Sequence, residues 1–121
     1  MEDFCVILAH HALIGEIARA KQLLQSSAAN MLQVEARKIL ECCFGLALGN
    51  IQDSLSKLHE VTAHNYQQIT ELVEMLYLDS LAIKESDKIE AMVESIKLEA
   101  GSMSAQTLMV GFIACCVFDV S

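Results

Sequence analysis

The sequence predicts an all-α protein of four to five helices, forming a helical hairpin or bundle that packs into a larger assembly. Residues 1–121 are expected to form a single helical domain. The chain has no proline and only five glycines, so few segments are marked as turns. Hydrophobic residues make up 54% of the chain and aromatic residues only 5%, a composition typical of helical proteins. Apolar residues also recur at the three- and four-residue spacing of a helix face.

The first predicted helix covers residues 3–25 and begins at Asp3, because aspartate is a favourable N-cap. Its predicted inward-facing side chains are Val6, Leu13, Ile17 and Leu24. The break after it is expected within residues 26–30, which are small or polar.

The second predicted helix covers residues 30–61, since Asn30 and Gln33 have the spacing of a capping box, and Gly49-Asn50 is the place where it could fray. A third helix is expected over residues 65–84, where Asn65 and Gln68 repeat that spacing. Its predicted inward-facing side chains are Ile69, Val73, Leu76 and Leu81.

Two glycines lie in the middle of the second predicted helix, on or beside its apolar stripe. Glycine costs a helix about 1 kcal/mol relative to alanine, so a compensating contact is expected. Gly45 and Gly49 are four residues apart and share one face. We therefore expect them, with Leu48 and Asn50, to bring a neighbouring helix close, from this chain or from another copy.

A fourth helix is predicted over residues 87–99 and a last apolar segment over residues 103–118. The continuous apolar part of that segment, residues 108–118, is shorter than the ~20 residues that span a bilayer. Burial against another helix or another subunit is therefore preferred, with a membrane anchor as the alternative. Phe112 and Ile113 are the residues expected at an inter-subunit surface.

Negative charge is concentrated in residues 60–99, whose nine acidic and three basic side chains give a net of −6 out of −8. The simplest interpretation is a solvated helix face. The alternative is a pH sensor, because crowded carboxylates repel one another and acidification removes that repulsion. The candidate titrating residues are His59, His64, Glu71, Glu74, Glu90 and Glu94.

No arrangement typical of an active site stands out. His59 and His64 are five residues apart, one more than a zinc-protease helix requires, so no metal is expected there. His11 and Gly15 are a weak version of a histidine-phosphotransfer pattern, because Ile14 replaces the lysine. The five cysteines lack ligand spacing and are interpreted as buried apolar side chains. The sequence therefore predicts no enzyme activity, metal or cofactor.

The mean hydropathy of +0.40 is high for a chain of 13.3 kDa, so burial between copies of the chain is expected. The net charge of −8 argues against nucleic acid or an anionic membrane surface as the main partner. The odd number of cysteines and an acidic N-terminus unlike a secretory signal favour a cytoplasmic protein.

Short motifs between residues 34 and 79 follow one another in a recognisable order. They are Lys38-Ile39-Leu40, Ala47-Leu48-Gly49-Asn50-Ile51, Ser54-Leu55, then Asn65, Gln67 and Gln68, and finally Leu76-Tyr77 near Asp79. This order resembles the R-body structural proteins, a bacterial family. The proline that precedes the family's second motif is absent here, as is its Thr-Thr-Gln-Gly run.

The resemblance implies a structural subunit that assembles with itself or with paralogous subunits. R-body proteins form a ribbon, rolled up as an inclusion in the bacterial cytoplasm, which extends when the pH falls and disrupts host membranes. Membrane contact would then occur only through the assembly. The alternative function is a soluble helical-bundle adaptor or secretion chaperone that binds a partner helix.

Overall fold

The computed structural model describes residues 2–26, 30–81 and 86–118, and every regular element in those ranges is helical. The all-α prediction is confirmed, but the predicted count of four to five helices is wrong. The described ranges contain seven α-helices, which are α1 (Glu2–Leu13), α2 (Ile17–Leu24), α3 (Val34–Ala47), α4 (Ile51–Glu60), α5 (Gln67–Ser80), α6 (Ser86–Glu99) and α7 (Ala105–Val117). Short 3-10 turns precede α5 and α7.

Gly49 ends α3 and divides the predicted second helix into α3 and α4. Its φ of +95° lies in the left-handed region, which glycine adopts without a steric penalty. The N–H of Asn50 donates to the carbonyl of Gly45 at 2.9 Å, and the N–H of Gly49 donates to that of Leu46 at 3.3 Å. These two bonds form a Schellman motif, after which α4 begins at Ile51 and packs against α3.

Gly15 ends α1 in the same way and divides the predicted helix 3–25. Its φ is +82°. The N–H of Glu16 donates to the carbonyl of His11 at 2.8 Å, and the N–H of Gly15 donates to that of Ala12 at 3.2 Å. The helix count was therefore too low because two glycine turns lie within stretches whose apolar spacing continues across them.

Other predicted boundaries differ from the structure by a few residues. The second predicted helix was expected to start at Asn30, but the corresponding α3 begins at Val34. The third predicted helix was expected to start at residue 65, but α5 begins at Gln67 after a 3-10 turn. Residues 27–29 of the predicted break and residue 84, the predicted end of the third helix, lie outside the described residues, and α5 ends at Ser80. α1 already includes Asp3, which was predicted to cap it.

α7 lies at the centre of the fold. It packs against α1, α3 and α5, while α3 also packs against α2 and α4. The N-cap of α7 is Ser104, whose hydroxyl accepts a hydrogen bond from the N–H of Thr107 at 3.1 Å. Val110, Ile113 and Ala114 are fully buried. Much of the apolar surface expected between copies of the chain is thus covered by the chain itself.

Periodicity predicted the inward faces of some helices and not of others. The predicted core residues that are buried are Leu24, Ile69, Val73 and Leu76. Val6, Leu13 and Leu81 are exposed, so their predicted inward orientation is wrong. On α1 the buried side chains include Cys5 and Leu8 instead. Both sides of α1 are apolar, and spacing alone cannot distinguish them.

Polar side chains join the beginnings of α3, α5 and α7. The hydroxyl of the buried Tyr66 donates to Oε1 of Gln33 at 2.7 Å. The N–H of Gln33 in turn donates to Oε1 of Gln106 at 2.5 Å. Because a buried polar group without a partner costs about 1–3 kcal/mol, these bonds help to fix the three helix ends relative to one another.

Replacement of Gly49 by alanine is expected to lower the free energy of unfolding by about 1–2 kcal/mol, because a side chain is strained in the left-handed conformation. Gly49→Asn should lower it less, since asparagine tolerates that conformation. The matched control is Gly101→Ala, at a glycine with no positive φ and no atom within 4 Å of an added Cβ. Urea unfolding followed by circular dichroism measures the difference. Equal losses in Gly49→Ala and Gly101→Ala would contradict the assignment of this turn.

Candidate interaction surface

The outer face of α1 is apolar and exposed. Its exposed side chains are Val6, Ile7 and Leu13, and the turn residue Ile14 directly after α1 extends them; each exposes between 46% and 60% of its surface. With the exposed His10 between them, they follow helical spacing on the side opposite the core. We call these five residues the α1 stripe. The side chains of α1 that face the core are Cys5, Leu8, Ala9 and Ala12.

The α1 stripe is also free of charged side chains. No Asp, Glu, Lys or Arg occurs between residues 4 and 15, although the chain as a whole has a net charge of −8. An apolar patch of this kind is uncommon on a monomer and marks an interaction site. Sequence reasoning missed it because a helix that is apolar all round has no periodicity from which to read its outer face.

The remaining exposed apolar side chains of the described residues are distributed over several other elements. They are Met31, Val34, Leu48, Ile51, Leu78, Leu81, Leu98 and Phe112. Scattered apolar side chains are normal on protein surfaces. Within the described ranges, the α1 stripe is therefore the largest such group on one helix.

Gly45 brings α3 and α4 of the same chain together. It is buried, and a Cβ at this position would overlap the hydroxyl of Ser54 on α4. Gly49 and Asn50, by contrast, are exposed in the turn between the two helices. The prediction that Gly49 lies on a tightly packed helix face is therefore wrong, because this glycine ends the helix.

The predicted inter-subunit residues fall into two groups. Leu48 and Phe112 are exposed and accessible to a partner. Ile113 is fully buried in the core of its own chain, so its predicted place at an inter-subunit surface is wrong. In the ranges 2–26, 30–81 and 86–118, no helix combines the length and apolar character needed to cross a membrane.

Two of the candidate pH-sensing residues contact each other through a hydrogen bond. Nε2 of His59 on α4 lies 2.5 Å from Oε1 of Glu74 on α5, so the pair links these two helices. Both side chains are exposed. An exposed pair of this kind contributes about 0–1 kcal/mol, so it is a weak link in one chain.

Two other candidates line a polar cleft of about 850 Å³ between the start of α5 and residues 99–107. They are His64 and Glu71. Nε2 of Gln68 in this cleft donates to Oε2 of Glu99 at 3.0 Å, whereas its Oε1 is buried without a hydrogen-bond partner. Hydrogen-bond donors and acceptors are therefore both present in the cleft.

Glu90 and Glu94 lie elsewhere, on the exposed surface of α6. Oε1 of Glu94 is 3.4 Å from Nζ of Lys97, one turn further along the helix. The six candidates are thus divided between a hydrogen-bonded pair, a cleft and a solvated helix. The structure does not bring them together in one site.

Four of the five cysteines are buried in the core, and Cys115 is partly buried against it. Burial raises the pKa of Cys42 to about 11 and also raises the pKa of Cys43, Cys115 and Cys116. Because the thiolate is the reactive form, these thiols are poor nucleophiles at neutral pH. Among the described residues, no group of three or more His, Cys, Asp or Glu side chains is placed to hold a metal ion.

Comparisons of the chain with protein-family models, with curated proteins and with solved structures found no match. The resemblance of residues 34–79 to the R-body proteins therefore stays a prediction. The proposals below rest on that resemblance and on the geometry of the described residues.

The free energy of unfolding is expected to fall as the pH rises above 9. Burial raises the pKa of Cys42 from 9.0 to about 11, so between these values the thiol ionises in the unfolded chain but not in the folded one. The unfolded state then binds fewer protons, and this thiol alone removes about 1.4 kcal/mol per pH unit. Below pH 9 its contribution to stability is fully present.

Urea unfolding at a series of alkaline pH values measures this slope. Cys42→Ala should give a shallower slope than the wild type, whatever its stability at neutral pH. Gly101→Ala, which removes no titrating group, should keep the wild-type slope. Identical slopes in all three proteins would show that Cys42 is not protected from ionisation in the folded chain.

Proposed function

We propose that this chain is a non-enzymatic structural subunit that associates with copies of itself through helix packing. The observation that supports this proposal is the α1 stripe, an apolar and uncharged face that stays exposed although α7 is buried at the centre of the fold. Covering such a face with another helix removes apolar surface from water, which favours association by about 25 cal/mol per Å² buried.

The resemblance supplies the finer form of the proposal, a ribbon of the R-body kind that extends when the pH falls. Residues 34–79 form α3, α4 and nearly all of α5, and they include the His59–Glu74 pair between α4 and α5. The attraction within that pair depends on the negative charge of the Glu74 carboxylate. The loss of that attraction is small in one chain, but equal losses in many identical subunits would add together when packing changes in concert.

Light scattering coupled to size-exclusion chromatography tests the proposed association. The measured mass should exceed the 13.3 kDa of one chain and rise with protein concentration. A mass of one chain at every concentration would contradict the proposal. If that monomer bound an amphipathic helical peptide tightly, the adaptor function would replace self-association.

Negative-stain electron microscopy at neutral and acidic pH tests the ribbon. Rolled or sheet-like polymers at neutral pH should become extended at acidic pH. Glu74→Gln, which mimics the protonated carboxyl, should shift that change to a higher pH, whereas the matched variant Glu90→Gln on α6 should not. Discrete particles of one or two subunits at both pH values would remove the ribbon. Dimers would leave the simpler association standing, whereas single chains would contradict that as well.

A further inference from the structure

We infer that the α1 stripe pairs two copies of this chain in antiparallel orientation about a two-fold axis, with His10 of one copy meeting His10 of the other. This inference rests on the proposed self-association. It adds which surface is used, in which orientation, and which residue lies at the axis.

The arrangement of the stripe is self-complementary under a two-fold rotation. Val6 and Ile14 lie four residues from His10 on either side, and Ile7 and Leu13 lie three residues from it. At 100° per residue, His10 is also at the angular centre of the stripe. All four apolar positions therefore form two symmetric pairs around the one polar residue.

An antiparallel pair of such helices places apolar side chains against apolar side chains at both ends. Val6 and Ile7 of one copy would pack against Leu13 and Ile14 of the other, and the same cluster would recur at the opposite end. In an isologous contact, every favourable interaction away from the axis occurs twice. A parallel pair about an axis along the helices would also be isologous, but it would align the two helix macrodipoles, whereas the antiparallel pair sets them in opposite directions, which is the more favourable arrangement.

His10 suits a position at the axis because an uncharged imidazole has one N–H donor and one nitrogen acceptor. The imidazole of one copy can therefore donate a hydrogen bond to the imidazole of the other. The polar residue in the middle of the stripe is then paired with the same residue of the second copy. The side chain is exposed in the single chain, so it is free to make this contact.

The distribution of charge favours contact between two copies through α1 over contact through their acidic helices. The excess of acidic side chains lies in residues 60–99, which include α5 and α6. α7 packs against both α1 and α5, and α6 packs against α5. Contact through α1 thus joins two uncharged faces and keeps the acidic halves apart, whereas contact through α6 would bring like charges together.

Two substitutions test the contact by sedimentation equilibrium. Ile7→Asp should raise the dissociation constant of the pair at least about 100-fold, because a two-fold contact loses the buried side chain twice. His10→Lys should also weaken the pair, because it places two like charges at the axis. The matched control Leu98→Asp changes an exposed leucine on α6 and should leave the constant unchanged. Circular dichroism establishes that each variant is folded.

Cross-linking tests the orientation. His10→Cys should form a disulfide-linked dimer under mild oxidation, since residue 10 meets its own copy. Val6→Cys should not, because in the antiparallel pair the two residues 6 are about 12 Å apart along the helix. The wild-type chain, whose described cysteines are buried or partly buried, gives the background under the same conditions.

The outcomes separate this inference from the proposed function. Loss of pairing in Ile7→Asp and His10→Lys but not in Leu98→Asp, with cross-linking at position 10 alone, would support both. Oligomers that persist in the α1 variants would overturn the inference and leave self-association standing. Efficient cross-linking at both positions 6 and 10 would overturn the antiparallel orientation. A wild-type chain that stays monomeric would overturn the proposed function and the inference with it.

Discussion

Burial of α7 is the constraint on which the rest of this fold depends. No charged residue occurs between Glu99 and Asp119, so this helix offers water no charged face. The chain covers it from three sides with α1, α3 and α5. The hydrophobic effect accounts for this placement, because moving the most apolar segment out of water gives the largest gain per residue. Once α7 takes the centre, the acidic α6 is left to pack outside on α5, and α1 lies at the surface beside α7.

The high mean hydropathy therefore has two separate consequences, burial inside one chain and an exposed apolar face. Composition alone does not distinguish them. Most of the apolar side chains of α3, α5 and α7 pack inside a single chain, so they do not require a second copy. Of the apolar side chains that stay exposed, the α1 stripe is the largest group on one helix, and it occupies the solvent side of a helix whose other side is already in the core. The case for self-association thus depends on one helix face instead of the whole composition.

Sequence reasoning succeeded where one apolar face stood against one polar face. On α5, Ile69, Val73 and Leu76 are buried as predicted, because charged residues such as Glu71 mark the other side. It failed at Gly15 and Gly49, since apolar residues continue on both sides of each glycine and hide the end of the helix. It also failed to identify the buried side of α1, because that helix has no polar face to mark its outer side. The His59–Glu74 pair joins residues fifteen positions apart, so it depends on how α4 and α5 are turned against each other.

A two-fold contact closes after two copies, so pairing through α1 cannot by itself build a ribbon. A polymer would need a second surface on each subunit, and α1 lies outside the stretch that resembles the R-body proteins. That stretch, residues 34–79, forms α3 to α5 and presents the exposed Leu48 and Ile51 beside the Gly49 turn. The two proposals are therefore compatible in one way: α1 would make a dimer, and the α3–α5 side would join dimers into the longer assembly. Because the acidic excess of residues 60–99 begins at the end of α4 and includes α5, repulsion between carboxylates would act on that second contact and not on the uncharged α1 stripe.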